Sequence, residues 1–476
     1  MGFQKVIDKI ESNSYVLGFL FTFITSLILF YPSLNYYFFQ DDWFVLNWVG
    51  TGDLKSFLLP YADTIYWRPL SMPIFFWSGY KLFGLNPLWY HIVVFVFFGA
   101  LIVSVYKLFR LLFNRQELAL FGAFLYATWP VHFMSLSWLV ATQYILMPLF
   151  QTISFIFFIK FFKTKNKNLW FASFTFFIFG IFSHEFTLVL PIILFCWGFL
   201  IKRKNLFVYI LPFLLVDLLF LFFRFVIYPI RAEGSYQMHL NHLVLDNLFW
   251  YVAWAFNFPE SFKDLIDQRF PTKSIKLLLG SWQIFLPIIM MLLIDLNFLR
   301  KSIKKNFKSI VFGFLWIFIG LLPIITLVDH SYTVYLSFAG IGFLYIVLNL
   351  FKKTRAYFMY VFGVLWLISS IFNLKFTRNT HWIVNEQAIS RAYTTFASHK
   401  LSDPESGSVI LVWEADSSLQ QKYGFISSGE LNVVRQSLFD QDAMQVVFNN
   451  KTIKTYYFLE DIRTGRERFH LVNLKD

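Results

Sequence analysis

The chain has 476 residues, of which 57% are hydrophobic, 22% aromatic and only 14% charged, with 65 Phe and 16 Trp. A soluble domain carries about 25% charged residues, so this chain has too little polar surface to cover itself in water. An ordinary cytosolic enzyme and a disordered chain are excluded, and the single cysteine, Cys196, excludes a disulfide framework and a Cys-based metal site.

The net charge of +13 does not point to nucleic acid, because the basic residues come in short bursts between apolar runs, as in cytoplasmic loops of membrane proteins. Lys5 and Lys9 precede an apolar run over 15–34. That run has spanning length, exceeds a signal-peptide core and lacks a small-x-small cleavage site, so it reads as a retained first span. Further runs lie at 91–112, 118–131, 139–160, 169–183, 186–201, 206–228, 277–298, 309–328, 332–350 and 357–375. The fold expected is an all-α polytopic membrane protein of about eleven transmembrane helices.

Basic loops fix the orientation. Lys107, Arg110 and Arg115 mark one cytoplasmic loop, Lys160, Lys163, Lys165 and Lys167 the next, and Lys202, Arg203 and Lys204 a third. Lys301, Lys304, Lys305 and Lys308 mark a fourth, and Lys352, Lys353 and Arg355 a fifth. The positive-inside rule then sets the N-terminus inside and the C-terminus outside. The run 243–258 breaks the parity if counted as a span. It is expected instead as an interfacial amphipathic helix within a long external segment, 229–275, with Trp250, Tyr251 and Trp254 at headgroup depth.

Past residue 375 the composition changes. Residues 376–476 hold 11 Lys/Arg and 12 Asp/Glu, close to neutral, and 409–413 and 444–448 read as strands. The organisation expected is a membrane domain over 1–375 and a small soluble extracytoplasmic α/β or α+β domain over 376–476, with no internal repeat.

The first external loop, 35–88, carries the densest chemistry. Asp41 and Asp42 follow the first span at once, flanked by aromatics. Carboxylates held at a bilayer surface have perturbed pKa values, and such a group can take a proton from an alcohol or bind a divalent cation. Alternatively, the pair simply ends a helix in solvent. Arg68, in Tyr66-Trp67-Arg68-Pro69-Leu70, stands against the positive-inside trend; it suits an anion such as phosphate, or snorkels to headgroups. His132, Glu185 and the Asp329-His330 pair end later spans on the same face. One external site built from loop tips would gather them so. His184-Glu185 is not a metalloprotease motif, because Leu188 stands where the second histidine is needed, and no Gly-rich phosphate loop or nucleophile elbow is present.

In order and in shared face, these motifs resemble the glycosyltransferase C superfamily, which includes protein O-mannosyltransferases and aminoarabinose transferases. The resemblance is carried by Asp41-Asp42, Arg68-Pro69-Leu70, Phe83-Gly84-Leu85-Asn86-Pro87 with Tyr90-His91, Pro130-Val131-His132 with Trp138, and His184-Glu185 with Leu190-Pro191. It extends over roughly 15–375 and is closest to the membrane part of mannosyltransferases that carry tetratricopeptide repeats. Two departures stand out. His184 occupies a position where those relatives carry Lys, and Tyr335-Leu336-Ser337-Phe338-Ala339-Gly340 lacks the Arg that usually precedes it, leaving His330 as the nearest candidate cation.

The resemblance implies an inverting transfer of a sugar from a polyprenyl-phosphate donor to a protein, lipid or glycan acceptor at the outer face. It implies Asp41 or Asp42 as base and Arg68, His132, Glu185, His330 and Arg231 as donor-phosphate or sugar contacts. A divalent cation, Mg or Mn, held by Asp41 and Asp42 is a further implied option. Two other classes stay open: a transporter or flippase, for which Asp217, Arg224 and Asp295 are the intramembrane ionisable candidates, and a noncatalytic assembly protein displaying its C-terminal segment. The richness in Phe, Lys and Asn suits an AT-rich bacterial genome, hence a bacterial plasma membrane with the site facing out.

Overall fold

The computed structural model describes residues 2–60, 66–228, 236–266, 271–293, 296–352, 354, 356–401, 403–412, 431–457 and 469–472. Six apolar helical stretches are long enough to cross a membrane: Tyr15–Asn35, Pro87–Phe113, Leu139–Thr164, Leu206–Ile227, Thr333–Phe351 and Ala356–Thr380. Two bent pairs, Gln116–Ala127 with Pro130–Ser137 (49°) and Pro271–Gly280 with Trp282–Met291 (68°), bring the count to eight. The three other expected runs fall on the shorter helices Lys167–Ser183 and Glu185–Leu200 and on the end of helix Leu296–Leu321. A 17-residue helix rises only about 25 Å, short of a hydrocarbon core of about 30 Å. Length and composition therefore give six to eight spans among the described residues and do not confirm the expected eleven.

Sequence punctuation explains several joints. Gly84 (φ +58°) closes helix Phe75–Phe83, then the Asn86 side chain accepts the Leu88 N–H at 3.2 Å and Pro87 opens helix Pro87–Phe113. The basic stretch expected as a loop at 301–308 is instead helical, within Leu296–Leu321, which kinks at Asn306 (φ −103°, ψ 17°). Gly340 lies under the Trp129 indole, where a Cβ would fall 2.5 Å from the ring, so that glycine lets helix Leu336–Phe351 approach the turn before Pro130. Buried aromatics fill the bundle, with Trp43, Trp129, Trp254, Trp316 and Trp366 fully enclosed.

Helix Leu243–Ala255 forms where the interfacial helix is expected, and at 13 residues it reaches only about 20 Å. Its aromatics are used differently. Tyr251 and Trp254 are buried against the protein, while Leu245, Phe249 and Val252 make the exposed apolar face. Ring burial in the bundle outweighs anchoring at a headgroup.

The change of composition at 375 falls inside helix Ala356–Thr380, which leads directly into helix Trp382–Lys400. Beyond it lies a three-stranded parallel sheet in the order β2-β1-β3, with β1 Val409–Val412, β2 Lys454–Tyr456 and β3 Phe469–Val472. Most of the stretch expected as a strand at 444–448 is helical, within Asp442–Val447, because its apolar side chains sit against helices Asp41–Thr51 and Trp382–Lys400 rather than alternating. The segment over 37–47 is tied to the C-terminal part by several hydrogen bonds, among them Trp43 Nε1–H to Ser390 Oγ (2.8 Å), Asn47 Nδ2 to Asp442 Oδ1 (2.6 Å), Tyr37 N–H to Gln387 Oε1 (3.2 Å), and Gln40 N–H to Ser437 O (2.9 Å).

Candidate active site

Asp41 and Asp42 open helix Asp41–Thr51, where the helix dipole favours negative charge. The chain enters it through Gln40 at φ +48°, ψ −128°, a conformation that a side chain rarely adopts. Two bonds hold it there: the Gln40 N–H donates to Ser437 O, and the Gln40 amide donates to the Glu386 carboxyl. The turn sends the two aspartates different ways. Asp41 lines a half-open cavity of about 700 Å³. Asp42 is fully buried outside it, its Oδ1 accepting the Val140 N–H (2.8 Å) and its Oδ2 the Phe39 N–H (3.3 Å).

Arg68, Glu185 and His330 line the same cavity. The buried Arg68 guanidinium grips Glu185 with two donors, Nε–H to Oε2 at 2.7 Å and Nη2–H to Oε1, while Nη1–H donates to Gln143 Oε1 at 2.8 Å. It also stacks over the Tyr66 ring, 4.1 Å from the centroid. A guanidinium anchored on three sides is a fixed positive charge in a low-dielectric wall. His184 is not a cation here: burial, then Arg68, drive its imidazole down to about 3, and its Nδ1 accepts the Phe186 N–H at 3.1 Å. The partner of Glu185 is Arg68, from another loop. His330, expected as the nearest cation, is likewise held neutral, pushed down to about 4 by burial and by Arg68, with its ring against Tyr236 at 4.3 Å.

Three predicted site residues are not in this group. His132 is buried among Tyr126 and Phe98, its Nε2 3.1 Å from Tyr126 O, because the turn Pro130–His132 carries its ring into the bundle. Asp42 is consumed by backbone N–H groups. Arg231 lies outside the described residues, as does Asp295. Of the intramembrane pair, Asp217 and Arg224 are both buried, and Arg224 is within electrostatic reach of Glu185 and Arg68. A divalent cation on Asp41 and Asp42 does not fit: both Asp42 oxygens already accept backbone N–H groups, and no group of three or more His, Cys, Asp or Glu side chains is placed to hold a metal among the described residues.

The sequence gives no periodic signal for the rest of the wall. Tyrosines from four segments, Tyr66, Tyr144, Tyr236, Tyr332 and Tyr335, surround the Arg68–Glu185 pair, with Tyr144 and Tyr335 in edge contact at 5.3 Å. On another side stand Trp138, Trp382, Glu386 and Gln436, the last three contributed by the C-terminal part. Phe225 and Met238 also line the cavity while remaining 63% and 67% exposed, so an apolar rim borders it at the end of span Leu206–Ile227.

Burial raises the Asp41 carboxyl to about 6, with Arg68 pulling it back. Burial likewise raises Glu386 to about 7, with Gln40 opposing and Asp41 adding to the rise. Asp41 thus stands within electrostatic reach of both Arg68 and Glu386. A carboxylate with a pKa near 6 is ionised at neutral pH yet basic enough to accept a proton, and a fixed guanidinium nearby can stabilise a departing anion.

No protein-family model and no curated protein matches the chain. Among solved structures, it is similar to ArnT from Cupriavidus metallidurans bound to undecaprenyl phosphate, at 12% identity and a TM-score of 0.37, over 93% of this chain and 90% of that one.

Proposed function

We propose that this chain is an integral membrane glycosyltransferase that moves a sugar from a polyprenyl-phosphate donor to an acceptor at the outer face of a bacterial plasma membrane, with inversion. One observation carries the reading: Asp41, Arg68, Glu185 and His330, from four separate segments, share a single cavity bordered by an exposed apolar rim. The prenyl chain lies along Phe225 and Met238, and the phosphate approaches the Arg68 end. The tyrosines surround the sugar.

The acceptor hydroxyl oxygen attacks the anomeric carbon as its proton passes to the Asp41 carboxylate. The carbon–oxygen bond to the phosphate breaks on the opposite face, and the polyprenyl phosphate leaves with the electron pair, its charge met by Arg68. Glu185 keeps the guanidinium aimed. His330, uncharged, offers a ring nitrogen to the sugar or phosphate. Each step uses only side chains of this protein.

The test is release of polyprenyl phosphate from a panel of labelled polyprenyl-phosphate sugars by the purified protein in lipid nanodiscs. Turnover that disappears in Asp41→Asn is the expected result. Turnover that survives in Asp41→Asn removes Asp41 as the base, and no turnover of any donor by the wild-type chain removes the transferase reading.

A further inference from the structure

The cavity has a second half that the donor chemistry leaves unused. Asp41, Arg68 and Glu386 line one cavity, and the lining away from the Arg68–Glu185 pair and its tyrosines is Trp138, Trp382, Glu386 and Gln436. With the phosphate at the guanidinium, an in-line displacement at the anomeric carbon brings the attacking nucleophile from a part of the cavity away from Arg68, and the Trp138–Trp382–Glu386 wall is the part left for it. The composition of that side therefore reports on the acceptor.

It is built from two indoles and planar polar groups. Trp138 and Trp382 meet edge to face, with centroids 5.3 Å apart and planes at 85°, and Phe39 backs both at 5.5 and 6.1 Å. Both indoles are half-buried, so part of each ring still faces the cavity. Beside them lie the Glu386 carboxyl, the Gln40 amide that donates to it, and the exposed Gln436 amide. Among the described residues, no Lys or Arg lines this side.

We propose that this half of the cavity is an acceptor subsite for a neutral carbohydrate, so that the protein glycosylates the hydroxyl of a glycan. A sugar ring has an apolar C–H face that matches an indole, and adjacent hydroxyls that both donate and accept. Amides and a carboxyl are the side chains that satisfy such hydroxyls in pairs. A phosphorylated lipid acceptor would bring anionic charge to a wall that holds Asp41 and Glu386 and no cation. An extended peptide would need backbone partners, which strand edges supply, and helices Asp41–Thr51 and Trp382–Lys400 form this wall instead.

The inference rests on the transferase reading, and the experiment separates the two. The full-length protein in nanodiscs is applied to an array of neutral oligosaccharides, with Ser/Thr-rich peptides and phosphorylated glycolipids as the other arms. Binding of one or more neutral glycans is expected, weakened about tenfold by Trp382→Ala, the size of one lost stacking contact. Gln436→Ala, at an exposed position, should weaken the same glycans without lowering the unfolding temperature. Where both variants leave glycan binding unchanged, or where only peptides or only phosphorylated glycolipids bind, the inference is overturned. Donor turnover that depends on Asp41 in the same preparation shows that the transferase reading stands even if the glycan inference falls.

Discussion

Asp41 and Asp42 are neighbours in the chain with opposite surroundings: Asp41 faces the cavity, and Asp42 is sealed behind it with Val140 and Phe39 donating to its two oxygens. Substituting each by Asn should therefore separate chemistry from folding. Asp41→Asn is expected to lower turnover by about 10²–10⁴, the usual worth of a general base, with little change in thermal unfolding. Asp42→Asn should cost about 1–3 kcal/mol of stability, because an amide nitrogen would face a buried backbone N–H. Turnover and unfolding temperature of the two purified variants check this. Equal unfolding temperatures would contradict the assignment of Asp42.

The pH profile follows from the same carboxyl. Burial raises Asp41 to about 6, and the base must be ionised to accept a proton. Activity, as kcat/KM, should climb with unit slope as pH rises toward 6 and level off above it. A bound phosphate adds negative charge near Asp41, so the midpoint in kcat should lie higher than in kcat/KM. A flat profile from pH 5 to 8 would mean that the rate does not depend on this group.

Some of this was legible in the sequence and some was not, for physical reasons. The cap residues in Gly84-Leu85-Asn86-Pro87 act locally, so their spacing announces the joint they make. Asp41, Arg68, Glu185 and His330 stand out because charge and imidazole are scarce in so apolar a chain. His132 stood out on the same ground, yet whether a histidine points into a cavity or into the bundle depends on a turn that no local pattern encodes. Glu386 and Trp382 lie in a segment of ordinary composition, where one carboxylate and one indole raise no contrast. The meeting of Glu386 with Gln40 is a contact across 346 positions.

The Arg68–Glu185 pair can be tested for stability and function separately. Arg68→Ala leaves Glu185 without its partner in the wall, and since Glu185 is about a third exposed, solvent offsets part of the loss, leaving about 2 kcal/mol. The double variant Arg68→Ala/Glu185→Gln removes the orphaned charge and should recover most of that stability. It should not recover turnover, because the cation that meets the leaving phosphate is still missing. Recovery of activity in the double variant would assign the pair a purely structural role.

Orientation is open to chemical labelling. On a Cys196→Ser background, Leu240→Cys, at a position that is 85% exposed in the segment expected outside, should react with a membrane-impermeant maleimide added to intact cells. Lys305→Cys, in the basic stretch of helix Leu296–Leu321, should react only after the membrane is opened, as the positive-inside rule requires. The reverse pattern would invert the topology and move the cavity to the cytoplasmic face.

The backbone at Gln40 gives the last prediction. A side-chain-bearing residue at φ +48° costs about 1–3 kcal/mol, and it persists because Ser437 O and Glu386 hold it from outside. Gln40→Ala keeps the strain and loses the Glu386 bond, so it should be less stable by about 1 kcal/mol. Gln40→Gly loses the same bond but adopts the conformation without steric cost, gaining back about as much. The expected order of unfolding temperatures is therefore wild type and Gly close together, with Ala below both. An Ala variant as stable as Gly would mean that the turn is free to relax, and with it the placement of Asp41 in the cavity.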